Sequence, residues 1–159
     1  MEYIIIKFIH ILSATFLFGT GIGTAFFMLL AYLSGNVTTL KYTTRHVVLA
    51  DWIFTTPSVI LQPITGIWLM LILHYPFNSL WFALVMGLYL FVGACWIPVV
   101  FIQYRLRQMV IVLDNNAPLP IQYHRLMRWW IGLGVCAFIA IIVVYWLMLS
   151  KYALTISLW

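Results

Sequence analysis

Residues 52–104, WIFTTPSVILQPITGIWLMLILHYPFNSLWFALVMGLYLFVGACWIPVVFIQY, contain no Asp, Glu, Lys or Arg. A water-soluble domain of this size needs a charged, mixed surface that such a stretch cannot supply. A bilayer accepts it, because about 20 apolar residues cross the hydrocarbon core. The chain therefore reads as an integral membrane protein. The few polar groups inside its spans become the candidates for function, since lipid penalises them unless they are paired or used.

Working outward, the whole chain follows the same composition. It is 159 residues, 65% hydrophobic and 7% charged, with mean hydropathy +1.09. That length makes one domain of a few helices over residues 1–159. The apolar runs are continuous and do not alternate with period two, which excludes a transmembrane β-barrel. The formal charge of +5 is not a nucleic-acid footprint. Its basic residues stand at span ends, where they set topology and meet anionic lipid. Cys95 and Cys136 fall inside apolar spans without metal-ligand spacing and read as small buried hydrophobes. The first apolar run, residues 11–33, exceeds a signal-peptide core of ~7–15 residues and reads as a retained helix.

Four spans follow, at about residues 3–33, 47–73, 80–103 and 129–150. The expected fold is all-α: a four-helix transmembrane bundle of antiparallel, up-down topology. Residues 34–46 read as a loop on Gly35, Asn36 and a Thr pair, and residues 75–79 as a tight reversal around Pro76. Residues 114–120 are the clear breaker in the second half, so the third helix is expected to run on to Leu113. Lys41, Arg45, Arg105, Arg107, Arg125 and Arg128 share one side, against Lys7 and Lys151 on the other. That bias predicts a membrane protein with both long loops in the cytoplasm and both termini outside.

Helical phase sorts the polar residues. Asp51, Thr55, Ser58, Gln62 and Thr65 recur at steps of four and three, a continuous stripe that must face the bundle interior. Pro57 and Pro63 interrupt the same helix and are expected to bend it and free carbonyls for Ser, Thr or water. On the first span Ala14 and Gly21 share the direction of His10 and leave room for something flat. Gly19 and Gly23 point the other way, as a helix-packing pair.

His10 is the sharpest candidate. It lies ~10 Å below the outer end of its span, where an imidazole serves as an axial haem ligand, a proton relay or an interhelical hydrogen-bonding group. His74 ends the second span on the same side and is a candidate to share an iron with it. His46 and His124 lie about 35 Å away along the axis and cannot. Asp51 reads either as half of an ion pair with Arg45, Arg125 or Arg128, or as a proton entry or propionate contact, with Gln62, Thr65 and His124 completing a polar path. Lys7 and Lys151 stand where they snorkel or meet the carboxylates of a porphyrin. Trp96 and Gln103 are placed to line and cap an interior cavity.

The segments Lys7-Phe-Ile-His10-Ile-Leu-Ser-Ala, Val48-Leu-Ala-Asp51-Trp52, Gln62-Pro63-Ile-Thr65-Gly66, Ala94-Cys-Trp96-Ile-Pro98, Tyr123-His124-Arg125-Leu and Trp146-Leu-Met148-Leu-Ser-Lys151 together resemble an uncharacterised bacterial family of predicted integral membrane proteins, a domain of unknown function. The family's closing motif is Lys-Pro, whereas Tyr152 follows Lys151 here. More distantly, Lys-x-x-His in the first span and the closing Met-x-x-Lys are similar to HemJ-type protoporphyrinogen oxidases and CopD-type membrane proteins. The HemJ resemblance implies a four-helix protein holding haem b, with His10 as ligand and Lys151 assisting an anionic porphyrin. The expected function is a haem b-binding membrane redox protein that oxidises a membrane-partitioned substrate such as protoporphyrinogen or quinol. The alternative is a non-catalytic module for small-solute transport or assembly with a larger complex. Expected partners are the bilayer, a porphyrin or quinol, and a homo-oligomer or larger membrane complex.

Overall fold

The computed structural model describes residues 1–156, and the side chains of residues 1–150. The described chain is helical apart from short turns: α1 Glu2–Leu33, α2 Val37–Ala50, a π-helical turn Asp51–Thr55, α3 Thr56–Ile72, α4 Leu80–Ile111 and α5 Ile121–Ile156. α2, the π turn and α3 follow without a break. Four helices are thus long and apolar enough to cross a membrane: Glu2–Leu33, Val37–Ile72, Leu80–Ile111 and Ile121–Ser150. The 32 residues of α1 alone span ~48 Å, more than the ~30 Å of a hydrocarbon core.

Residues 34–46 are not a loop, as the Gly, Asn and Thr content suggests. The chain turns only at residues 34–36, where Gly35 takes φ +63°, and Asn36 then caps α2 by accepting from the Thr39 N–H at 3.0 Å. Val37, Leu40, Thr44, Val47 and Val48 are buried at helical spacing, and that packed face outweighs the threonines. The fourth helix likewise begins at Ile121 instead of near residue 129, directly after Pro120. Arg125 and Arg128 therefore sit on its first turns, not in a loop. The breaker at residues 114–120 holds, and α4 stops at Ile111, two residues before Leu113.

Partner numbers fall as residue numbers rise along each helix pair. His10 meets Thr65 and Phe16 meets Phe54. Lys41 reaches the Leu113 carbonyl, and Tyr89 reaches that of Val59. Phe18 stacks on Phe138 and Tyr32 bonds His124. These paired segments therefore lie side by side in opposite senses.

The apolar core sits at one end of the bundle, where Met28, Ala31, Leu40, Val47, Leu106, Val110, Tyr123 and Met127 pack together. Lys41, Arg45, Arg105, Arg107, Arg125 and Arg128 belong to the helical turns of that same end. Pro63 frees a carbonyl, and a tyrosine satisfies it in place of the expected Ser, Thr or water. Pro63 cannot donate to the carbonyl four residues back, that of Val59, and the Tyr89 hydroxyl from α4 supplies the missing hydrogen.

Candidate functional site

The polar stripe is interior. Asp51, Thr55, Ser58 and Thr65 are all buried and Gln62 is half-buried. The stripe's hydrogen bonds gather into two clusters.

The first cluster joins α1 to α3 around His10. The Gln62 amide donates to the His10 carbonyl at 2.8 Å and to the Ser13 hydroxyl at 2.7 Å, while Ser13 donates back to the His10 carbonyl at 3.0 Å. The His10 ring sits beside Gly66, where an added Cβ would stand 3.4 Å from Cε1. Its Nδ1 is 2.8 Å from the Thr65 hydroxyl oxygen. The Thr65 hydroxyl also lies 2.6 Å from the Leu61 carbonyl and 3.3 Å from that of Gln62. When its single proton goes to Leu61, the Thr65 oxygen accepts from His10, the imidazole proton sits on Nδ1 and Nε2 keeps a lone pair. Among the described residues Nε2 has no hydrogen-bond partner and is not sealed from its surroundings. A neutral imidazole with one nitrogen tied to an acceptor and the other open is the form in which histidine binds a metal.

The second cluster lies at the π turn, on the side of the helix that faces α4. Thr55 donates to Asp51 Oδ1 at 2.8 Å, while Oδ2 is buried without a hydrogen-bond partner. The expected ion pair with Arg45, Arg125 or Arg128 therefore does not form, and all three arginines are exposed. Trp96 and Gln103 do line a cavity, as the sequence suggests, and Asp51 lines it with them.

The remaining candidates are dispersed. His74 follows the end of α3, exposed and with φ +51°, nine residues beyond Thr65. Its ring makes no hydrogen bond among the described residues, and the structure does not bring it to His10. His124 bonds the Tyr32 hydroxyl at 2.8 Å, apart from Asp51, and the His46 ring packs tilted against Tyr42. Lys7 lies over the Tyr3 ring. Gly21 is exposed, with open space where a Cβ would be. The side chain of Lys151 lies outside the described residues. Ser13 and Gly66 belong to the site although only their neighbours were singled out. Gly66 follows Thr65 directly, and Ser13 lies one turn beyond His10, so both could have been read from helical spacing.

The family model of predicted integral membrane proteins DUF2269 matches residues 4–152. The chain belongs to this family. Comparison with curated proteins and with solved structures finds no match. Membership carries no activity with it, so any function rests on the geometry of the two clusters.

Proposed function

We propose that this DUF2269 protein is a membrane redox protein that binds haem b through His10 Nε2. The observation that carries the reading is the Thr65 hydroxyl 2.8 Å from Nδ1 and 2.6 Å from the Leu61 carbonyl: with its proton on Leu61 it holds the imidazole proton on Nδ1 and leaves Nε2 as a free donor. Among the described residues no three His, Cys, Asp or Glu side chains gather as a metal site would need. A haem would ask less of the protein, because the porphyrin would bring most of the ligands and one imidazole would hold the iron. The donor chemistry of His10 fits that role.

When bound, haem b supplies one-electron redox chemistry. The chain's own contribution is positional. Thr65 fixes the ring's proton, Gly66 allows the imidazole to lie against α3, and Gln62 with Ser13 clamps the α1 backbone at the ligand. Lys7 and Lys151 would meet propionates or the carboxylates of a porphyrin substrate. His74 stays available as a second ligand only if residues 73–79 move toward His10. The clustering of six basic residues at the packed end supports a cell-membrane orientation with that end in the cytoplasm and the His10 end outside.

Titrating the detergent-purified protein with haemin tests the reading. Wild type should give a saturable Soret band with one haem per chain, and His10→Ala should give none while retaining its helical circular dichroism. Equal spectra from the two proteins would remove His10 as ligand. The alternative, a module for transport or assembly, would then lead.

A further inference from the structure

The cavity at the π turn has chemistry of its own. Its volume is 190 Å³, and it lies between the second and third membrane-spanning helices, with Asp51, Trp52, Thr56, Trp96, Gln103 and Tyr104 in its walls. One water occupies about 30 Å³ of liquid, whereas an apolar cavity of about 150 Å³ holds a benzene ring. The space therefore suits one six-membered ring, and three of its walls are aromatic.

Two buried polar atoms there lack partners. Asp51 is 7% exposed, and its Oδ2 needs a hydrogen. Trp96 Nε1–H is buried and needs an acceptor. Leaving both unmade is costly in a membrane, where water cannot substitute. A metal ion would satisfy the carboxylate and be repelled by the indole N–H. A hydroxyl satisfies both at once, since its hydrogen goes to Asp51 and its oxygen accepts from Trp96. The route in is lateral. Trp52 is 61% exposed on the outer face of its helix, and its indole bonds the Tyr104 hydroxyl beside the cavity. In a membrane that face meets lipid, so the occupant partitions into the bilayer. A π turn within an α-helix is a frequent mark of a functional site, and here it carries Asp51 itself.

We propose that this cavity binds the head of a single-ring quinol, with a ring hydroxyl donating to Asp51 Oδ2 and accepting from Trp96. The inference supplies a substrate class for the redox reading above. Ring binding is measured without haem, however, so the two can fail separately.

The test uses the full chain in nanodiscs made from quinone-free lipid, with a decyl-tailed benzoquinol and the matching benzoquinone as probes. Calorimetry against empty discs should show one saturable site per chain that prefers quinol by at least tenfold. Asp51→Asn keeps the acceptor for Thr55 but turns a donor toward the ring. Two donors then face the ligand, and the preference should reverse in favour of quinone. Trp96→Phe keeps a ring in the wall and removes the donor, so it should weaken both probes several-fold. Heat indistinguishable from empty discs would overturn the proposal. So would a quinol preference unchanged in Asp51→Asn or, if that variant does not fold, probe affinities unchanged in Trp96→Phe. Tighter binding of a two-ring naphthoquinol would contradict the volume argument.

Discussion

One membrane-spanning helix carries two polar clusters that handle burial in opposite ways. Around His10, Gln62, Ser13 and Thr65 bond the two helices to one another and leave the His10 Nε2 open. At the π turn, Asp51 and Trp96 leave a carboxylate oxygen and an indole N–H unmatched in a cavity. The contrast separates two uses of polarity in a membrane. A closed network fixes helices and orients one ligand atom. An open one keeps unsatisfied groups for something that arrives later.

The largest expected effect sharpens that contrast at the closed cluster. Thr65→Val preserves shape but removes the acceptor that holds the proton on Nδ1. Haem affinity should fall about 10–100-fold, the usual cost of losing such an outer partner. Spectral titration with haemin reads this, and an unchanged affinity would make the Thr65 bond incidental. Next comes a sign difference in stability. Asp51→Asn keeps the Thr55 bond and removes a buried carboxylate that has no ion-pair partner, so it should stabilise by about 1–3 kcal/mol. Gln62→Leu removes two interhelical hydrogen bonds and should destabilise by about 1–2 kcal/mol. Thermal unfolding in one detergent checks both, and shifts of the same sign would break the comparison. Tyr89→Phe should cost about 1 kcal/mol by orphaning the Val59 carbonyl that Pro63 has freed. The smallest effect is Gly66→Ala, where the new methyl would sit 3.4 Å from His10 Cε1. It should cost less than about 1.5 kcal/mol while moving the ring, seen as a shifted Soret maximum with little change in unfolding temperature.

The sequence makes much of this legible, and the exceptions have physical causes. Four membrane helices follow from charge-free apolar length, and the interior stripe from steps of three and four. Trp96 and Gln103 beside a cavity follow from their depth on the third span. The start of α2 is obscured because Thr43 and Thr44 read as loop residues, whereas the spacing of Val37, Leu40, Thr44 and Val47 is a buried helical face. The expected Asp51 ion pair fails for a reason that charge counting cannot see. Thr55 lies one turn away and takes one carboxylate oxygen, while the other stays unpaired beside a cavity that Trp96 and Gln103 also line. The tautomer of His10 lies beyond sequence reading, since it depends on Thr65 bonding its own helix at Leu61.

The central claim is that His10 presents a metal-binding nitrogen to haem b. A reduced-minus-oxidised absorption spectrum of the wild-type protein, purified in detergent from cells supplied with haem, tests it most directly. The account predicts sharp Soret and alpha bands amounting to one haem per chain. A featureless spectrum would contradict it.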